Sequence, residues 1–150
     1  MQRFSAFVLL LATIGNFTMT TKANADPDRS LTVTVNGLRN QKGQVCLSLF
    51  AQAQGFPTKS SLAIASRCVS ADNSPLTITF NNLNPGNYAI AMIHDENRDG
   101  KMNTGFLGIP KEGFGFSRNP SIGFGAPRFE DAAIAVTQQN TKTQIQVKYF

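Results

Sequence analysis

The sequence predicts an all-β protein, a single antiparallel β-sandwich with one long Gly/Phe-rich loop, and three observations carry that prediction. Apolar residues recur at every second position in short runs, the period of strands with one buried face. Turn-forming residues separate those runs at near-regular spacing, as in a sandwich. Beyond the N-terminal segment no stretch shows convincing helical periodicity.

Residues 1–25 are set apart as a secretory signal peptide. Met1-Gln2-Arg3 is basic, an apolar run extends from Phe4 to Phe17, and Ala23-Asn24-Ala25 supplies the small-x-small pattern that signal peptidase accepts. The run is broken by Ser5, Thr13, Gly15 and Asn16 and falls short of the roughly 20 residues that cross a bilayer, so cleavage before Asp26 is expected rather than anchorage. No later segment is apolar enough to span a membrane. The expectation is an exported protein, periplasmic or secreted, in which residues 26–150 form one domain; the length leaves no room for a second core.

Leu31, Val33 and Val35 alternate with Thr32 and Thr34 in a first strand, and Arg39-Asn40-Gln41-Lys42-Gly43 reads as a turn into a second, Val45, Leu47 and Leu49, making a hairpin. A loop with Gly55-Phe56-Pro57 follows. Leu62 to Val69 is ambiguous between strand and short helix, its β-branched and small residues favouring strand. Leu76, Ile78 and Phe80 precede the turn Asn81 to Gly86, and Tyr88, Ile90 and Met92 continue beyond it. Ala132-Ile134-Val136 and Ile145-Val147-Tyr149 read as a last pair joined across Gln138 to Thr141.

Leu83-Asn84-Pro85-Gly86-Asn87-Tyr88 resembles the Leu-x-Pro-Gly-x-Tyr turn of transthyretin-like and carboxypeptidase-regulatory-like sandwich domains, so an immunoglobulin-like or transthyretin-like sandwich is the expected type. In such a turn proline sets the first corner, glycine takes the positive φ of the second, and Leu83 and Tyr88 plug the core. The long loop spans Asp95 to about Arg128. Loops of that length are functional or disordered, and its phenylalanines, as in Gly113-Phe114-Gly115-Phe116 and Gly123-Phe124-Gly125, argue for order. Either the rings cap one end of the core, or they form an exposed surface that docks a protein or glycan.

The formal net charge of +5 loses Arg3 and Lys22 on cleavage, and the remaining basic residues form no stripe interleaved with stacking aromatics. Nucleic acid is therefore not the expected partner. Cys46 and Cys68 are the two cysteines, and in an oxidising compartment they are expected to bridge; two buried thiols are the alternative.

The sharpest motif opens the loop. Asp95-Glu96-Asn97-Arg98-Asp99-Gly100-Lys101-Met102-Asn103 matches the first nine positions of a calcium loop: oxygen side chains at Asp95, Asn97 and Asp99, glycine at the sixth position, a backbone carbonyl from Lys101 and a further oxygen from Asn103. Position twelve is Phe106, which excludes an EF-hand, so the last calcium ligand would come from elsewhere, with Glu112 nearest and Glu130 or Asp131 as substitutes. The same residues also favour an ion-free Asx-rich turn. His94, the one histidine, could act beside Asp95 or pair with Ser117 in a small envelope hydrolase, and Glu96, Asp99 and Glu112 could form a glycosidase-like acid pair. A histidine hydrogen-bonded to loop backbone is the simpler reading.

The run His94 to Lys101, followed by Gly108-Ile109-Pro110-Lys111-Glu112-Gly113-Phe114-Gly115-Phe116-Ser117, resembles the exported bacterial proteins grouped as domain-of-unknown-function family 2141. The likeness runs from the Leu31 strand to Tyr149. It implies export and a single β-sandwich-like domain, and it carries over no activity and no catalytic residues. The expected function is a non-enzymatic binding module of the cell envelope, with calcium as a candidate structural ion.

Overall fold

A computed structural model describes residues 28–72, 76–123 and 125–150. The signal peptide expected over residues 1–25 lies outside them. The described chain is built on eight strands in two sheets. Strands β1 (Arg29–Asn36), β4 (Leu76–Leu83) and β8 (Asn140–Gln146) form the first, in the order β4-β1-β8. Strands β2 (Gln44–Phe50), β3 (Ala65–Ser70), β5 (Gly86–Asp95) and β6 (Gly113–Phe116) form the second, in the order β3-β2-β5-β6, with β7 (Ile134–Val136) paired to the start of β5.

Alternation dictates the core. Leu31, Val33 and Val35 from one sheet meet Val45, Leu47, Leu49, Ile90 and Met92 from the other, all essentially without solvent exposure. This is the interior that the period-two runs imply. Tyr88 enters the same core, and its hydroxyl donates to the Asn84 carbonyl at 2.8 Å, tying the turn that carries the chain from one sheet to the other.

Four sequence expectations need correction. The first two strands are not a hairpin: β1 pairs with β4 and β8, whereas β2 pairs with β3 and β5. Their shared apolar alternation comes from facing each other across the core, which gives the same pattern as lying side by side. The last two strands are not partners either; β7 joins β5, and β8 runs parallel to β1, so the sandwich is not purely antiparallel. Gly86 lies outside the positive-φ glycines, and Asn82 instead takes a left-handed conformation, φ 57°, with its N–H donating to Asp28 Oδ1. Finally, the Gly/Phe segment contains a strand.

That strand, β6, explains the alternation of glycine and phenylalanine. Gly113 and Gly115 face inward, where the C-terminal segment passes too closely for a side chain. A Cβ on Gly115 would sit 2.5 Å from the Ile145 side chain, and one on Gly113 would come within 2.6 Å of the Tyr149 ring. Phe114 and Phe116 point outward into a second cluster with Phe50, Ala89, Ala91 and Ala132. Phe56 packs edge-on against Phe50, Phe116 and Phe129 with ring centroids 5.4–6.0 Å apart. These rings cover the outer face of the larger sheet instead of capping one end of the sandwich. The far edge of β6 bonds Lys148 through reciprocal N–H to carbonyl bonds of 3.0 and 2.8 Å, closing the sandwich on that side.

Cys46 and Cys68 are opposite one another on β2 and β3 and form a disulfide on the outer face. A short helix α1 (Phe129–Ala132) follows the loop, and no helix among the described residues is long and apolar enough to cross a membrane.

Candidate functional site

The Asp95 segment begins where β5 runs off the end of the larger sheet. Asp95 is fully buried, and its carboxylate accepts N–H bonds from Asp99 at 3.1 Å and Gly100 at 2.9 Å, with a third from Gln44 Nε2 at 2.8 Å. Two left-handed residues, Arg98 (φ 62°) and Gly100 (φ 75°), wind the backbone so that these donors point inward. Gly100 thus takes the sharp turn expected of it. The turn is pressed against the β1–β2 connection at Gly43, φ 73°, where a Cβ would strike the Asp95 carbonyl oxygen and approach Glu96 Cα to 2.6 Å.

Glu112 closes the other end. It is 5% exposed and spans two chain segments: Oε1 accepts the Glu96 N–H and Oε2 the Asn103 N–H, each at 2.9 Å. Between these clamps the chain forms a small hairpin. Thr104 bridges Pro110, Lys111 N–H donates to the Asn103 carbonyl at 2.9 Å, and Gly105 N–H to the Ile109 carbonyl at 2.7 Å. The tip is one 3₁₀ turn, Phe106–Gly108, with Leu107 at φ 57°.

The structure brings the sequence-predicted ligands into one segment but turns them toward N–H donors. Asp99 accepts from the Lys101 N–H at 2.9 Å and from the side-chain amides of Asn97 and Asn103 at 3.1 Å each, and these donors, the Lys101 N–H foremost, hold its carboxyl below the usual aspartate range. A hard cation needs several oxygens aimed at one point. Here the oxygens of Asp95, Asp99 and Glu112 accept separate sets of N–H groups. Among the described residues no group of three or more His, Cys, Asp or Glu side chains is placed to hold a metal ion. Glu130 and Asp131 lie apart, on α1; Asp131 caps that helix, accepting the Arg128 N–H at 3.2 Å, and its hydrogen bonds from Arg128 lower its carboxyl.

His94 is buried on β5 within a chain of directed bonds. Nε2 lies 2.8 Å from the Lys42 carbonyl, which can only accept, so that nitrogen carries hydrogen. Nδ1 lies 2.7 Å from the Tyr149 hydroxyl oxygen, which accepts the Arg39 N–H at 3.2 Å. Arg39 stacks over the Tyr149 ring, 4.6 Å to its centroid, while its guanidinium bonds Glu96 at 2.7 Å. Burial works to raise Glu96, but hydrogen bonds from Asn40 and Arg39 and the Arg39 charge outweigh it and leave the carboxyl lowered. Tyr149 is raised, chiefly by desolvation.

Ser117 and His94 are not brought together. Ser117 is opposite Ile90, four residues along β5 from His94, a separation of roughly 13 Å at strand rise. Its buried hydroxyl donates to the Ala132 carbonyl at 2.6 Å and accepts the Ile90 N–H at 2.9 Å. Of the candidate acids, Glu112 is enclosed by backbone donors. A shallow polar depression is lined by Arg118, Pro120, Ser121, Glu130 and Asp131. Sequence reasoning missed the participation of Gln44, Arg39 and Tyr149, which are distant in the chain; the polar Gln44 at the inward end of β2 was the one available signal.

Among the described residues the exposed large apolar side chains are Leu62, Ile64 and Phe150, each away from the finger, and a group of three on the finger itself. Phe106, Leu107 and Ile109 at the hairpin tip are 85%, 82% and 51% exposed. Of the loop phenylalanines, Phe114 and Phe116 are buried, Phe124 lies outside the described residues, and Phe106 projects into solvent.

Fold and site together define a class: a disulfide-bonded β-sandwich that holds out a short apolar finger on a root of buried carboxylates. The chain belongs to the family described as "Uncharacterized protein conserved in bacteria (DUF2141)", whose family model matches residues 33–144, in agreement with the resemblance read from the sequence. No curated protein and no solved structure matches the chain.

Proposed function

We propose that this domain is a non-enzymatic docking module, exported to the cell envelope, that binds through the tip of its hairpin finger. The observation that carries the reading is the exposure of Phe106, Leu107 and Ile109 on a hairpin whose root is clamped at both ends by buried acids. Exposed apolar groups gathered on one projection mark interaction surfaces, whereas isolated ones need no explanation. Leu107 adds a second argument. A leucine in the left-handed region costs on the order of 1 kcal/mol relative to glycine, and this one, 82% exposed, has little burial to offset the strain. The residue serves the surface, not the fold.

The polar groups that suggested chemistry have structural duties in this reading. His94 and Ser117 each satisfy buried backbone, and the acids of the calcium-like motif set the finger's direction. Export is supported by the N-terminal sequence and by the disulfide, which persists in oxidising compartments.

Cell fractionation tests the proposal. Full-length precursor is expressed in a bacterial host beside the triple variant Phe106→Ser, Leu107→Ser, Ile109→Ser. The wild-type chain is expected in the envelope fraction and the variant among released soluble proteins, with equal melting temperatures. The same distribution for both would overturn it.

A further inference from the structure

We infer that the finger's partner is an anionic lipid surface, into which the Phe106-Leu107 tip inserts; this rests on the docking reading above and names its target. Two features, shape and charge, favour lipid over a protein or a glycan, and a third eases docking itself.

The first is shape. The tip is a single 3₁₀ turn whose Phe106 and Leu107 side chains are 85% and 82% exposed, so they project into solvent and line no groove of their own. A bilayer accepts a convex apolar group with no complementary pocket. A glycan needs a flat aromatic platform, and the tip offers one phenyl ring.

The second is charge. Three of the four acids near the finger are withdrawn: Asp95 and Glu112 are buried against N–H donors and Glu96 is bound by Arg39, while Asp99 is exposed and accepts the Lys101, Asn97 and Asn103 N–H groups. Lys101 and Lys111 are exposed on the two limbs leading to the tip. The Lys111 stem lies against Gly105, where a Cβ would come 3.1 Å from its Cε, directly below the tip. Lysines just behind an apolar wedge reach lipid phosphates while their methylene stems line the apolar boundary.

The third is rigidity. The finger is held at its base before it meets a partner, so docking requires little ordering of the chain.

Sedimentation with vesicles tests the inference. Probes are vesicles of phosphatidylcholine alone and of phosphatidylcholine with about a third phosphatidylglycerol, a content at which each basic residue near the surface contributes measurably. The wild-type domain is expected to bind the anionic vesicles at least tenfold more tightly than the neutral ones. Leu107→Gly, which relieves the left-handed strain and keeps the fold, is expected to reduce that binding about tenfold with an equal or higher melting temperature. Lys101→Glu with Lys111→Glu is expected to abolish the preference for anionic vesicles. Undiminished binding by Leu107→Gly overturns the inference. So does the absence of wild-type binding to either vesicle; if tip-dependent retention in the envelope fraction then persists, docking stands and its target is a protein. If retention is also independent of the tip, both readings fall.

Discussion

Replacing Glu112 by glutamine gives the sharpest test of how the finger is held. Each oxygen of Glu112 accepts one backbone N–H, from Glu96 and from Asn103, at 2.9 Å. Glutamine keeps one acceptor and turns an amide donor toward the other N–H. The change removes one bond to a charged group, which contributes about 1.5–3 kcal/mol, weakens the second, and leaves a part-buried donor unmatched. The net cost is about 3 kcal/mol. The penalty falls on opening of the root, because the two sheets keep their own ladders and core. Amide hydrogen exchange reads this directly: the Asn103 and Glu96 amides are expected to exchange on the order of 100-fold faster in Glu112→Gln, with core amides such as Ile90 unchanged. Undiminished protection at Asn103 would refute the argument that this carboxylate clamps the hairpin.

Four further outcomes follow from the same geometry. Gly43→Ala places a methyl against the Asp95 carbonyl at φ 73°, so its urea midpoint is expected to fall by the equivalent of at least about 2 kcal/mol; a wild-type midpoint would show that the close approach is not tight. Glu96 is lowered in the folded state, so its contribution is present above the ordinary glutamate range and lost as pH falls through the lower folded value. Melting temperature measured from pH 6 downward should therefore decline in the acid range, and less steeply in Glu96→Gln; identical profiles would count against the Arg39–Glu96 pair. Reduction of Cys46–Cys68 releases a cross-link of sequence separation 22, for which the chain-entropy model gives about 3 kcal/mol, and urea unfolding with and without reductant should show a loss of that order, with β3 amides the first to lose protection. Millimolar calcium is expected to leave the melting temperature unchanged, because the motif's carboxylates already accept N–H bonds; a rise of several degrees that disappears in Asp95→Asn would show that they turn to the ion.

How much of this was legible in the chain depends on which interactions are local. The alternation of Val45, Leu47 and Leu49 or of Leu76, Ile78 and Phe80 fixes which side chains face inward, and those residues are the buried core. Alternation is silent about which strand lies beside which, since a partner in the same sheet and one across the core impose the same period. The hairpin expected at Arg39–Gly43 failed for that reason, and the pairing of β7 with β8 likewise. Gly113 and Gly115 looked like loop residues because glycine usually marks a turn. Their requirement comes from Ile145 and Tyr149 in the last segment, more than two dozen residues away. The cysteine pair was predictable from its even count and the oxidising compartment expected of an exported chain, and Leu107 was not, as nothing in its composition distinguishes a leucine that faces solvent.

The calcium-like motif shows why a correct local reading can leave its chemistry open. Short oxygen side chains at Asp95, Asn97 and Asp99, followed by Gly100, are suited to any centre of positive charge around which a backbone must wind tightly. A cation is one such centre, and a group of convergent N–H dipoles is another. Where the first acid points is set outside the motif. Asp95 is the last residue of β5, paired in register with Gln44, and its side chain is directed back into the protein, where Gln44 Nε2 meets it. Anchored by Gln44, Asp95 gathers the N–H groups of Asp99 and Gly100, and the turn becomes a mount whose orientation the sheet controls. Glu112, next to the start of β6, does the same from the neighbouring strand, so both limbs of the finger are referred to one sheet. A projection fixed in this way can carry apolar residues that the fold does not use, because none of them is needed to hold it in place.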